Sequence, residues 1–238
     1  MLVPAMNSKE ITNEILRDWE KLTKTTVDRL TDEYDRERRK FKIDKAKTYP
    51  KAYPVKTASK NTWIVFLQKA PAIPKYKNVY DAVGCCVVYY YSTKGIKAFR
   101  YNSTEKYLEV FNGHFFARYN ERLQLDLNSP VEAIKRFFNN SGYLQCQIIK
   151  KDGKEYSTGL CREGMALGEY NSNMDVPWMI HKTFIHHDLK GHQQKESEKM
   201  VMIQAQLQLL IKSLDEEVDV DSREFIHSGN VLSQIMDK

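Results

Sequence analysis

From Asn7 to about Lys42 the apolar residues fall at Ile11, Ile15, Trp19, Leu22, Val27, Leu30, Tyr34 and Phe41, the recurrence of one helix face. Asn7 followed three residues later by Glu10 has the form of a capping box and places the helix start. The opposite face is dense in charge (Glu33, Asp35, Arg36, Glu37, Arg38, Arg39), which suits a helix lying along a domain or pairing with a partner. In KTYPKAYPVKTASKN the periodicity is lost, and Pro50 and Pro54 stop the helix. That stretch reads as a linker or extended arm.

The pattern then changes to β-branched and aromatic runs separated by turn residues: TWIVFLQ (62–68), GCCVVYYY (84–91), IKAFRY (96–101) and YLEVF (107–111). Together they predict an antiparallel meander, with Thr93-Lys94-Gly95 as one turn and the proline-containing APAIPKYKN as a loop. Asn112 is placed to cap a helix over 113–123. Ser129-Pro130 with Glu132 supplies an N-cap, a proline at the first helical position and a capping box for a second helix ending at Gly142. A second set of strands follows in YLQCQIIKK, KEYSTGL, MALGE and WMIHKTFI, with Asp152-Gly153 as a hairpin turn. A last helix is expected through Met200, Ile203, Leu207, Leu210, Ile211 and Leu214, before the acidic break DEEVDVDS. The expected fold class is α+β: a mostly antiparallel sheet with an embedded helix pair and long N- and C-terminal helices. Its segments are an N-terminal helix and basic linker (1–60), a core domain (61–190) and a C-terminal helix and tail (191–238).

Composition narrows the setting. At 238 residues and 42% hydrophobic, the chain can bury a sizeable core without disulfides. Cys85, Cys86, Cys146 and Cys161 match neither a C-x-x-C motif nor a disulfide scaffold, so they are expected to be reduced and mostly packed. No apolar run approaches the ~20 residues of a membrane span, and the start MLVPAMNSKEI lacks the features of a secretion signal. These observations predict a cytoplasmic protein without membrane contact. The net charge of +6 is unevenly placed: Lys40, Lys42, Lys45, Lys47, Lys51, Lys56 and Lys60 stand against Asp44 alone. Affinity for an anionic polymer would therefore concentrate near the N-terminus, although such a run is also ordinary for a solvated linker.

The chemical candidates begin with GHFFARYNERL. His114, Arg118 and Arg122 are four apart and drift only about 40° per step around a helix, so they share one face, while Phe115, Phe116, Tyr119 and Leu123 anchor the other. Guanidinium forks bind phosphate oxygens and imidazole moves protons near neutral pH, a combination suited to a phosphodiester. Glu121 is within reach of Arg118, and a plain exposed polar face with such pairs gives the same pattern.

With YLEVFNGHFFARYNERL, SPVEAIKRFF, CREGMALGE and MIHKTFI in this order, residues 107–190 resemble BrnT-type toxins and the wider RelE-like ribonuclease superfamily. The resemblance implies metal-independent RNA cleavage with no cofactor. Carried over by residue, it implies catalytic roles for His114, Arg118, Arg122 and Thr183, with Lys182 beside them. The chemistry would be attack of a ribose 2′-OH on phosphorus, His114 moving the proton and the arginines holding the charged phosphorane. The chain departs from such toxins in its long additions on either side.

Three further readings stay open. HKTFIHHDLKGH carries His181, His186, His187, Asp188 and His192, but the spacing matches no zinc motif and Cys161 would have to come from elsewhere in the fold, so no metal ligand is assigned and a metal-dependent hydrolase on this cluster stays the third reading. In a regular strand, Lys182 and Thr183 face opposite ways. The run VVYYYSTKGIKAFRY, with Lys94, Lys97 and Arg100, has the makings of a base-stacking, nucleic-acid-binding surface, or simply of two half-buried strands. No Walker loop, G-x-G-x-x-G, G-x-S-x-G or paired-carboxylate motif is present. The expected function is RNA binding with a ribonuclease-like site. The alternative is a non-enzymatic interaction protein using its terminal amphipathic helices to form a homodimer or bind a protein partner.

Overall fold

The computed structural model describes residues 1–40, 50–69, 82–141 and 145–189. Helix α1 (Ser8–Leu22) starts at the expected capping box, with Asn7 and Glu10 exchanging side-chain and backbone hydrogen bonds. It runs through a π-helical segment, Thr23–Val27, into α2 (Asp28–Lys40). That segment has a cause in the apolar spacing. Leu22 and Val27 are five apart, out of phase for an α-helix, and i→i+5 winding restores the stripe. Ile11, Ile15, Leu22, Leu30 and Tyr34 are consequently all buried in one core cluster.

Among the described residues nine strands follow: β1 (Lys51–Lys56), β2 (Thr62–Lys69), β3 (Ala82–Ser92), β4 (Gly95–Asn102), β5 (Tyr107–Asn112), β6 (Gln145–Lys151), β7 (Lys154–Cys161), β8 (Gly164–Asn171) and β9 (Trp178–His186). Between β5 and β6 come α3 (Gly113–Arg122) and α4 (Pro130–Ser141), and a short 3-10 turn (His187–Leu189) follows β9. Turn chemistry fixes the hairpins. Asp152 and Gly153 both have positive φ, the requirement of the two-residue turn joining β6 and β7.

The expected fold class is overturned. The strands are not separate antiparallel sets around an embedded helix pair. They form one mixed sheet in the order β1-β2-β3-β4-β5-β9-β8-β7-β6. Every pairing is antiparallel except β5 with β9, where Leu108–Phe111 run parallel to Trp178–His181. A parallel pair needs a long crossover, and here the crossover contains α3, α4 and three strands. The helices lie on the sheet's face, α3 against β9. The stretch read as a linker contains an edge strand, β1, where Pro54 is tolerated and lysines discourage further pairing. The C-terminal helix expected over Met200–Leu214, residues 41–49 of the basic stretch and the APAIPKYKN loop lie outside the described residues.

Both faces of the sheet are covered. On one, α1 and α2 pack against Trp63, Val65, Val88, Phe99, Leu108 and Val110, so the described part of residues 1–60 shares a core with the sheet. On the other, α3 and α4 bring Phe115, Phe116, Phe137 and Phe138 around Phe111, with ring centroids 5.2–6.0 Å from it. One edge of the sheet comes back to its middle. Cys146 on β6 approaches Glu109 on β5 to 4.0 Å, whereas four flat interstrand steps would separate them by roughly 19 Å. The sheet curls back over the α3–α4 side.

Polar contacts lock α1 to the sheet. Asp18, 2% exposed, accepts hydrogen bonds from Thr57 Oγ1 (2.6 Å), Asn61 Nδ2 (2.7 Å) and Trp63 Nε1 (3.1 Å). Among the described residues, no helix is long and apolar enough to cross a membrane. Asp18→Ala should destabilise the fold in urea by about 1–3 kcal/mol for each buried donor it leaves without a partner. A loss below about 0.5 kcal/mol would mean that the network contributes little.

Candidate functional site

The alternating pattern of a strand should send charged side chains to solvent, yet β4 and β5 each send one inward. Arg100 and Glu109 are register partners, 6% and 0% exposed, and Arg100 Nε donates to Glu109 Oε2. The guanidinium also lies over the Phe138 ring, 5.6 Å from its centroid. The other carboxylate oxygen, Oε1, faces His181 Nε2 at 3.7 Å and Cys146 Sγ at 4.0 Å. Three strands that are distant in sequence therefore meet at one carboxylate.

His181 owes its place to a β-bulge. The register between β8 and β9 shifts at Leu167/Gly168, so that Thr183 opposes Leu167 while His181 opposes Gly168. The extra residue lets His181 and Phe184, three apart, both turn towards α3; Phe115 is in ring contact with each. Regular alternation had predicted opposite faces for these two. Gly168 is needed here because a Cβ would overlap the Ile180 carbonyl. The imidazole stacks on Phe111 with centroids 4.6 Å apart and planes 29° apart. It is 0% exposed, and neither ring nitrogen has a hydrogen-bond partner.

Burial opposes charge throughout this centre, and the ion pair outweighs it at one position. Desolvation alone would raise the Glu109 carboxyl; the Arg100 charge, followed by contacts with His181 and Arg100, instead holds it down at about 2. Arg100 is correspondingly kept charged by Glu109 despite its burial. The thiols go the other way. Burial pushes Cys85 up to about 11 and Cys146 well above its ordinary range, the latter helped by Glu109. Both are therefore protonated thiols at neutral pH, and both retain partial exposure.

The residues singled out in the sequence are dispersed. On α3, His114 is exposed and Arg118 pairs with Glu121 at 2.7 Å. Arg122 donates to the Phe184 carbonyl. Thr183 is half-buried on β9, and Lys182 is exposed and paired with Glu169. Lys94 is exposed in the β3–β4 turn, Lys97 is half-buried on β4, and Arg100 is inside the core rather than on a surface open to a polyanion. Of the tyrosine run, Tyr91 is exposed, whereas Tyr90 stacks on Phe99.

The histidine cluster also divides. His181 is internal, His186 Nδ1 lies 3.4 Å from Asp188, and His187 Nε2 lies 2.8 Å from the Arg162 carbonyl; His192 is outside the described residues. Cys161 is buried and bonds to the Gly164 carbonyl, and the sulfur beside His181 is that of Cys146. Glu109 and Cys146 were not singled out in the sequence. The available signal was the lone acid in YLEVF and Arg100 in IKAFRY, both at inward positions of adjacent strands. No family model, curated protein or solved structure matches the chain.

Arg100→Met strands Glu109 as an uncompensated buried charge, and should destabilise the fold by about 3–5 kcal/mol in urea. The paired replacement Arg100→Met with Glu109→Leu should cost clearly less than the sum of the single changes. Acid gives a second readout. Because the folded carboxyl titrates below its usual 4.5, its stabilisation is complete above that value and is lost as pH falls from about 4.5 towards about 2. Urea midpoints of the wild type should fall more steeply through this window than those of Glu109→Gln; parallel curves would show that the ion pair is not what titrates.

Proposed function

We propose that this chain is a small-ligand-binding protein whose working centre is the internal cluster of Arg100, Glu109, Cys146 and His181. The observation that carries this reading is His181. An imidazole that is 0% exposed, with neither nitrogen hydrogen-bonded, leaves polar groups whose burial costs about 1–3 kcal/mol. A ligand that engages the ring offsets that cost. The surroundings fit such a role: the ring is held in orientation by Phe111, beside a carboxylate oxygen that is not taken by Arg100. The partly exposed Cys85 and Cys146 lie at its margin.

The other readings have less support. A RelE-like ribonuclease site needs His114, Arg118 and Arg122 to act on one phosphate. Here the two arginines bond to Glu121 and to the Phe184 carbonyl, while His114 stands about 12 Å from Arg122 along the helix rise. A partner-binding N-terminal helix needs a free apolar stripe, and that of α1 and α2 is covered by the sheet.

The test is thermal unfolding of the full chain against divalent metals and small anions, with His181→Phe and Glu109→Gln alongside. A ligand of this centre, at a hundredfold excess over its Kd, should stabilise the wild type by about 2.7 kcal/mol and leave both variants unmoved. Equal shifts in all three proteins, or none in any, would refute the reading. RNA cleavage in EDTA that is lost in His114→Ala would move the function to the α3 face.

A further inference from the structure

Resting on the reading of this cluster as a ligand centre, we propose that Glu109 Oε1, Cys146 Sγ and a ring nitrogen of His181 bind one divalent transition-metal ion of the zinc class, with a fourth position left to water or a small exogenous ligand. The three ligand atoms all lie within 4.8 Å of one another, with two of the separations at 3.7 and 4.0 Å. An ion centred among them would stand roughly 2.5 Å or less from each. Zinc bonds of about 2.0–2.3 Å need only a contraction of a few tenths of an ångström. One oxygen, one nitrogen and one sulfur favour zinc and its cobalt or iron neighbours over magnesium or calcium, which prefer oxygen alone.

The surroundings resemble those that support metal ligands. Arg100 bonds to the far oxygen of Glu109, orienting the carboxylate while leaving Oε1 turned to the site, as outer partners of ligating carboxylates do. Phe111 holds the imidazole plane. Charge is the constraint to meet. Glu109 and Arg100 cancel, so an ion must be compensated locally, and Cys146 supplies part of this. The ion replaces the thiol proton, forming the metal–sulfur bond and releasing one proton to solvent per ion bound. With water in the fourth position the centre carries one net positive charge, which only the loss of a second proton from that water, at higher pH, would cancel. The cysteine and the acid come from β6 and β5, the histidine from β9, so the ion would also tie the curled-over edge of the sheet to its middle.

The experiment is titration of the untagged full chain with Co(II), then Zn(II), followed by absorption and by metal analysis after gel filtration. One Co(II) per chain is expected, with release of one thiol proton on binding, the strong visible bands of tetrahedral cobalt, a near-ultraviolet thiolate-to-cobalt band, and displacement by Zn(II) without further proton release. Cys146→Ser should lose the thiolate band and bind at least tenfold more weakly, His181→Ala should lose tetrahedral binding, and Cys161→Ser should behave as wild type. Circular dichroism before each titration checks folding. If His181→Ala does not fold, Cys146→Ser and the wild-type proton release decide the outcome. No stoichiometric Co(II) or Zn(II) in the wild type, or a thiolate band that survives in Cys146→Ser, overturns the proposal. In that event a small anion that still stabilises wild type but not Glu109→Gln would leave the ligand centre standing without a metal, and its absence would remove both.

Discussion

The parallel pairing of β5 with β9 is the constraint on which the rest of the structure depends. It runs over only four residue pairs, Leu108–Phe111 against Trp178–His181, yet it joins two meanders into one sheet. Its register decides which side chains meet. With Glu109 opposite Met179 and Phe111 opposite His181, the inward face of β5 lies beside the imidazole, and the bulge at Lys182 keeps the later part of β9 turned to the same core. A slip of one residue would send Glu109 and Phe111 to the face occupied by α1. The register is held by burial on both sides: Leu108 and Val110 pack beneath α1, Phe111 beneath α3 and α4.

This arrangement explains why α3 has the composition it does. Its aromatic side, Phe115, Phe116 and Tyr119, fills the concave face together with Phe137 and Phe184. Its polar side is drawn into local bonds. Tyr119 Oη donates to Glu163 at 2.6 Å, and Arg136 reaches the same carboxylate at 2.9 Å, tying both helices to the β7–β8 turn. Arg122 completes the attachment through the Phe184 carbonyl. His114, Arg118 and Arg122 lie along α3, and Arg122 is used to fasten the helix to the sheet.

Local structure was legible in the sequence where its cause is local. The capping box at Asn7, the Ser129-Pro130 helix start, the Asp152-Gly153 turn and eight of the strands follow from short-range rules, and all are in the structure. Strand β1 was hidden because Pro54 and its lysines belong to an edge, where propensity and pattern are relaxed. The parallel join left no local trace, since it is decided by which faces two distant meanders must bury. The same limit applied to the site. Arg100 reads as a surface cation until its partner nine residues on is known to lie directly opposite, and Cys146 looks like a packing residue until the sheet curls.

A buried ion pair is a poor way to stabilise a core: removing two charges from water costs several kcal/mol each, and an apolar pair of equal volume often does as well. Arg100 and Glu109 sit in a sheet that elsewhere places phenylalanine, isoleucine and valine at equivalent positions, and the aromatic cluster around Phe111 would accommodate another apolar residue. Beneath α3 and α4, Glu109, His181 and Cys146 converge on one point from three strands. A fold stabilised by apolar contacts over the rest of that face has little structural need for such a point, and it still leaves a buried imidazole without a hydrogen bond. That cost, and not any exposed motif, is the strongest physical argument for placing the proposed ligand centre here.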